Sequence, residues 1–365
     1  MKYIAIAGRQ PEISLAEIEA VFGGGRIKDR NIIEFDTNSE PEIDRLGGSL
    51  KLAVRLSASP LRYLSNVPDG KITLGISDYS RGASKKTAMT EALRLKKIIV
   101  RHGRSVRIVE NKEAVLSTAA SLHNGLSGKN MRKAELVKIG DAWYKVVGVQ
   151  NIDAYTRRDQ ARPARDAKVG MLPPKLAQIL INLCGRLPEG VVILDPFCGT
   201  GVVLQEALLM GYSAYGTDID GRMIEYSRKN LDYFGFDNYR LEIGDATEHI
   251  WKRPIDAVAC EGYLGKPFAR VPSEMEIKEQ RHECEAIFVK FLKNLSGQIQ
   301  SGMPVTVAMP AWLGRDGRYE RLFSSKMIDE IENMGYNVNN KSREGLLYHR
   351  DGQTVARDII ILRKK

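Results

Sequence analysis

The stretch Val191-Val192-Ile193-Leu194-Asp195-Pro196-Phe197-Cys198-Gly199-Thr200-Gly201 decides how this chain is read. A short apolar run ends in a carboxylate and enters a two-glycine turn. The segment from Val202 to Met210 that follows reads as a helix from its apolar spacing. Glycines at 199 and 201 let the backbone pass close to a bound molecule, because a Cβ would fill the space a ligand needs. The helix start behind them offers unpaired N–H groups. A dinucleotide loop of the form G-x-G-x-x-G needs glycine at position 204, where this chain has Leu204. A strand-tip acid suits a cationic or amino group better than a phosphate. The motif therefore points to S-adenosylmethionine, with another nucleotide fold or a plain strand–turn–helix left open at this step.

Three further strands end in acids. Ser213–Thr217 leads to Asp218, which lies 23 residues after Asp195, close to the offset of a ribose-binding carboxylate in a βαβ unit. Tyr239–Ile243 leads through Gly244 to Asp245, an acceptor for an adenine amino group. Ile255–Cys260 leads to Glu261. One such acid is commonly a helix cap or a solvated turn residue. Four in series converge on one crevice, because ligands in sheets of this kind bind outside the carboxyl ends of the strands. The expected cofactor set is Asp195, Phe197, Gly199, Thr200, Gly201, Asp218, Ile219, Asp245, Ala246 and Glu261.

The 365 residues suggest two or three domains, and no run approaches the roughly 20 apolar residues that span a bilayer. The N-terminus lacks the apolar core of a signal peptide. Four cysteines form no C-x-x-C pair and read as reduced thiols of a cytoplasmic protein. His282-x-Cys284 is a poor metal signal, so no metal site is expected. The net charge of +10 is uneven: residues 46–165 hold 23 Lys+Arg against 9 Asp+Glu, whereas residues 166–365 are nearly neutral. Concentrated basic charge is the footprint of a nucleic-acid binder, against the plainer reading of a basic soluble surface.

Periodicity divides the chain into an α+β unit over 1–57, a second over 58–152, a polar and charged linker over 153–172, and an α/β domain over 173–365. Strands are expected at Tyr3–Ala7, Asn31–Phe35, Lys71–Ile76 and Val106–Val109, with a hairpin across Gly140-Asp141. Helices are expected at Leu15–Val21, around Glu42–Leu46, at Thr87–His102, Leu116–Leu126 and Lys175–Leu183. The final segment reads as a β-hairpin around Asp351-Gly352.

Together these residues resemble a family: the THUMP-domain tRNA (guanine-N2)-methyltransferases of archaea and eukaryotes. The carriers are Leu46–Lys51, Lys71–Ser77, Leu95-Lys96-Lys97, Arg104–Arg107, Leu122-His123-Asn124, the segments Arg157–Asp159 and Gly170–Leu176, and Asp195–Gly201. The glycine turn is shared by many methyltransferases; the linker and N-terminal half are more specific. The resemblance implies a ferredoxin-like domain, a THUMP-like RNA-binding domain and a C-terminal Rossmann-type class I methyltransferase domain. It implies S-adenosylmethionine as cofactor and tRNA as partner, and a monomer is the default. Lys85, Lys86, Lys96, Lys97, Arg101, Arg104, Arg107, Lys129, Arg132 and Lys133 are the candidate phosphate contacts.

One departure stands out. Enzymes of this type carry Asp/Asn-Pro-Pro-Tyr after the fourth strand, where a side-chain oxygen and a carbonyl hold the target amine and a ring stacks on the base. This chain has Glu261-Gly262-Tyr263-Leu264. Glu261 and Tyr263 are the candidate catalytic residues, with Phe268 as a second ring. Three readings stay open: the same task with a shifted loop, another target, or a binding protein with a degenerate site. A DNA amino-methyltransferase is the alternative with the same chemistry.

Overall fold

A computed structural model describes residues 1–165, 172–339 and 346–365. It separates into two compact units, Met1–Tyr155 and Thr156–Lys365. The N-terminal unit is built on strands β1 (Lys2–Ala7), β2 (Arg26–Asp29), β3 (Ile32–Asp36), β4 (Ser49–Arg55), β5 (Ile72–Asp78), β6 (Val106–Ile108), β7 (Lys133–Ile139) and β8 (Ala142–Val149). They form one sheet in the order β2-β3-β1-β4-β8-β7-β5-β6. The β4–β8 ladder runs from Lys51↔Val149 to Arg55↔Tyr144, so the segments 1–57 and 58–152 share a continuous sheet rather than forming separate compact units.

The sequence reading names no strand at β4, where Lys51 lies within an otherwise largely apolar run. The structure shows why a lysine is tolerated there. Lys51 is fully buried, and its Nζ donates to Glu135 Oε1 at 2.6 Å and to the Leu116 carbonyl at 2.8 Å. Ser77 and Ser121 donate to the two oxygens of the same carboxylate, each at 2.6 Å. A charge this deep persists only when paired and hydrogen-bonded. The expected helix at 42–46 is a single 3-10 turn, Ile43–Arg45.

Helix Lys85–Arg101 starts on a capping box between Ser84 and Thr87. It buries Ala88, Ala92, Leu95 and Ile99 on one face and leaves Lys85, Lys86, Lys97 and Arg101 exposed, with Lys96 half-buried. Lys129, Arg107, Arg132 and Lys133 are also exposed. Arg104 differs from these. Its guanidinium donates to the carbonyls of Leu64, Val67 and Pro68, the closest at 2.6 Å, which ties it to the turn after helix Pro60–Ser65 instead of offering it to a phosphate.

The C-terminal unit contains β9 (Val192–Asp195), β10 (Ser213–Asp218), β11 (Tyr239–Ile243), β12 (Ala257–Glu261), β13 (Pro304–Leu313), β14 (Tyr319–Arg321), β15 (Tyr336–Val338), β16 (Leu346–Tyr348) and β17 (Val355–Lys364). The main sheet runs β11-β10-β9-β12-β13-β17-β15. The first five strands are parallel and β17 inserts antiparallel between β13 and β15. This is the Rossmann-type methyltransferase fold. The terminal hairpin forms as expected between β16 and β17, although Gly345 lies outside the described residues.

The stretch read as a linker is only partly one. Residues 152–160 form a helix, and the residues after it pack onto the C-terminal unit. Arg158 pairs with the buried Glu206 at 2.9 Å, and Arg162, 3% exposed, donates to Thr200 Oγ1 at 3.2 Å. The backbone of Ala164 exchanges two hydrogen bonds of 2.9 Å with Asn230. Composition marks these residues as solvated; their buried acidic and amide partners lie 40 to 70 positions away, out of reach of local pattern. The remainder of that stretch, 166–171, lies outside the described residues.

The Lys51–Glu135 pair gives a stability test. Glu135→Ala strands a buried ammonium and is expected to lower unfolding free energy by about 3–5 kcal/mol, read as a lower urea midpoint.

Candidate active site

The topology places the site before any side chain is considered. From β9 the chain moves outward through β10 to β11, then returns to β12 on the other side of β9. Such a reversal leaves a crevice at the carboxyl ends of the strands. Asp195, Asp218 and Glu261 are the last residues of β9, β10 and β12, and Asp245 follows β11 by two residues.

Asp195 is 2% exposed and accepts the Phe197 N–H at 3.1 Å. Burial pushes its carboxyl well above the usual range, and the neighbouring charges of Asp218 and Glu261 push it further. Asp218 accepts the Gly199 and Asp220 N–H groups, both at 2.9 Å, and burial raises its carboxyl too. The same negative field and deep burial hold the Cys198 and Cys260 thiols protonated. The crevice therefore carries an excess of negative charge held away from water.

The glycine turn is tied on several sides. Gly201 N–H donates to Cys198 O, Cys198 N–H to Thr217 O, Ser227 Oγ to Gly199 O, and Asn230 Nδ2 to Thr200 O. Gly201 has φ +82°, and a Cβ there would lie 2.9 Å from Ser227 Oγ. Gly199 has φ +50°, and a Cβ there would enter open space, with nothing nearer than Phe197 O at 4.0 Å. One glycine is required by packing and the other keeps the approach to a ligand clear.

The remaining expected residues divide. Ile219 is 70% exposed beside Asp218, and Ile243, which sequence reasoning passed over, is 64% exposed at the tip of β11. Together they offer apolar surface of the kind an adenine ring needs. Asp245 Oδ1 accepts the Thr247 backbone N–H and hydroxyl, both at 2.8 Å, and Ala246 is buried in the core. Phe197 is half-buried, edge-on to Phe291 with centroids 5.2 Å apart. Tyr263 is half-buried against the core and donates its hydroxyl to Glu283 at 3.2 Å; Phe268 packs on the same core. Burial and the Glu283 charge raise the Tyr263 phenol.

The altered loop has a structural reason. Gly262 N–H donates to Ala308 O at 2.9 Å, extending the β12–β13 ladder one residue past Glu261. Proline has no N–H to make that bond, and any Cβ at 262 would collide with Met309 Sδ. Glu261 thus ends a strand, and its Oε1 accepts Arg357 Nε at 2.8 Å. Arg357 was absent from the sequence reading. Its signal is a charged pair, Arg357-Asp358, inside the apolar run of β17.

A family model described as "Methyltransferase domain" matches residues 187–338. The C-terminal unit is a methyltransferase domain. A second model, described as "DNA methylase", matches 89–229. Among curated proteins, the chain is 32% identical over 168 residues to the tRNA (guanine(10)-N2)-dimethyltransferase of Methanothermobacter thermautotrophicus, covering 46% of this chain and 47% of that one. It is 29% identical over 282 residues to the protein of that same name from Pyrococcus abyssi, covering 75% and 77%. The first alignment thus spans about half of that relative's length. A solved structure of TrmN from Thermus thermophilus aligns over 100% of this chain and 99% of that chain at 18% identity, with a TM-score of 0.49.

The donor set fits S-adenosylmethionine. Its sulfonium and ammonium groups are cations, and among the described residues Asp195 and Asp218 form no ion pair; its ribose diol matches the carboxylate of Asp218. Among the described residues there is no group of acids, histidines and cysteines arranged to hold a metal ion.

The sign of the pH effect follows. Asp195 and Asp218 are raised in the folded protein, so their contribution favours folding below the ordinary aspartate range and is lost as pH rises through their folded values. A cationic ligand offsets that loss. The thermal shift given by S-adenosylmethionine is expected to be larger at pH 8 than at pH 5.5. Asp195→Asn is expected to raise the melting temperature of the ligand-free protein at pH 7 while weakening binding. Asp218→Ala is expected to weaken binding about 10- to 100-fold by calorimetry.

Proposed function

We propose that this protein transfers a methyl group from S-adenosylmethionine to the exocyclic N2 amine of a guanosine in tRNA. The observation that carries the reading is the crevice itself: three buried or half-buried strand-tip acids around a pinned glycine turn, with Glu261 at the position where amino-methyltransferases hold the target amine. The printed names of the two archaeal relatives support the substrate. The basic helix Lys85–Arg101, with the exposed cations at 129, 132 and 133, supplies the phosphate-binding face that an RNA substrate requires. In this reading the N-terminal unit is the ferredoxin-like and THUMP-like part, Lys85, Lys86, Lys96, Lys97, Arg101, Arg107, Lys129, Arg132 and Lys133 are its RNA contacts, and the protein acts as a cytoplasmic monomer. Among the described residues no helix is long and apolar enough to cross a membrane.

The cofactor supplies an electrophilic methyl on a sulfonium. The protein's part is placement. Asp195 and Asp218 hold the cofactor, Glu261 accepts an amine N–H so that the nitrogen lone pair faces the methyl, and Tyr263 bounds the base. With the cofactor bound, the N–C bond would form as the C–S bond broke, the electron pair of that bond staying on sulfur. The extra proton on nitrogen then leaves to Glu261 or solvent. Alignment of this kind supplies much of the rate in such reactions. The DNA alternative draws on the 89–229 match. Its test is competition by duplex DNA, since folded RNA is recognised by shape and single-stranded elements.

Labelled S-adenosylmethionine and unmodified bulk tRNA are expected to yield methylated guanosine by nucleoside mass spectrometry. Glu261→Ala is expected to lower kcat about 100-fold or more with cofactor affinity retained. Cofactor and tRNA binding without transfer would favour the non-catalytic reading.

A further inference from the structure

Glu261 and Arg357 are two strands apart in the sheet. Glu261 lies beside Ala308 of β13, and Arg357 lies beside Pro310 of the same strand. Ala308 and Pro310 share one face, since alternate residues of a strand do. Arg357 therefore reaches across β13 on that face and meets the carboxylate, with both side chains largely buried at 9% and 17% exposure. Across the gap β13 contributes only Ala308, Met309 and Pro310, none of which is polar in its side chain. Among the described residues, the charged groups around Glu261 are Arg357 from β17 and Asp195 from β9, with the thiol of Cys260 behind it.

This matters for base choice. An ionised carboxylate only accepts hydrogen bonds. Guanine presents two adjacent donors, N1–H and the N2 amine. Adenine and cytosine place an unprotonated ring nitrogen beside their amines, and a carboxylate repels that lone pair. Neutral Gln or Asn at the same place would present a donor as well as an acceptor.

We propose that Arg357 is a positioning residue that fixes Glu261 as an acceptor-only carboxylate, and that Glu261 thereby selects guanine by taking N1–H together with the amine. Arg357 Nε occupies one lone pair of Oε1 and sets the plane of the carboxylate, leaving its outer edge for the base. The two acceptors lie in the base plane, so the N2 lone pair stays perpendicular and open to the methyl. The inference rests on the activity proposed above.

The test uses the full chain and tRNA transcripts in which the methylated guanosine, once mapped with wild-type protein, is replaced by 2-aminopurine. That base keeps the amine and replaces N1–H with a lone pair. Wild-type protein is expected to prefer guanosine in kcat/KM by roughly 100-fold or more. Glu261→Gln is expected to lower activity on guanosine and to shrink or reverse that preference, because its amide can donate to N1. Comparing two enzymes on one substrate pair cancels the intrinsic reactivity of the bases. Arg357→Met is expected to lower kcat about 10- to 100-fold with unchanged S-adenosylmethionine affinity, and Arg357→Lys to recover part of it. Equal use of both bases by wild-type protein, or an unchanged preference in Glu261→Gln, would overturn the inference. Parallel loss of cofactor affinity and melting temperature in both Arg357 variants would reduce Arg357 to a structural residue and overturn its part. No transfer to the all-guanosine tRNA by wild-type protein would instead sink the activity reading, and this inference with it.

Discussion

The C-terminal unit is organised around two buried carboxylates, Asp195 and Asp218, that form no ion pair among the described residues. Asp195 lies at the end of a central strand, deep enough that ionisation is costly, and Asp218 and Glu261 add to the cost from either side. A fold selected for stability alone would place amides or apolar residues there. Acids persist at such positions when a bound cation offsets the penalty. Strand order, the glycine turn and the neighbouring helices all serve to keep those charges in one place.

The turn shows how that is done. Its glycines are backbone elements of a small hydrogen-bonded frame in which Asp218, Thr217, Ser227 and Asn230 each hold one atom of the loop. Arg162 holds Thr200 from a segment before the domain's first strand, and Arg158 neutralises Glu206 on the helix that the turn starts. Burial lifts the Glu206 carboxyl to about 7 against the pull of those arginines. Residues that look like a solvated connector are therefore part of the cofactor side of the domain.

What the sequence revealed and what it hid follow one physical rule. Four of the five parallel strands, their terminal acids and the terminal hairpin were legible because each is a local pattern: an apolar run, then an acid or a tight turn; β13, which ends in no acid, was passed over. Arg162, read as part of a solvated linker, was misread because its partner is distant in sequence, and Lys51 in β4 drew no reading for the same reason: an unpaired lysine or arginine does belong in water. Arg104 was misread for the same reason, since its carbonyl partners lie 34 to 40 residues earlier. Charge patterning locates a basic face, but it cannot separate the cations that cap a turn from those left free for a ligand.

Two of these hidden cations share a geometry. Lys51 reaches from β4 past β8 to Glu135 on β7, and Arg357 reaches from β17 past β13 to Glu261 on β12. In the first case the acid is fully buried and further satisfied by two serines, so the pair closes on itself. In the second the acid keeps 17% of its side chain exposed at the mouth of a crevice. Gly262 fixes where that acid sits. By continuing the ladder to Ala308 it keeps Glu261 on a rigid strand, where a Pro-Pro turn would have released the chain into a loop. A longer side chain on a fixed strand then needs a fixed partner to stay in one rotamer, and Arg357 is that partner. Gly262, Glu261 and Arg357 thus form one hydrogen-bonded arrangement, although Arg357 lies 96 positions beyond Glu261 in the sequence.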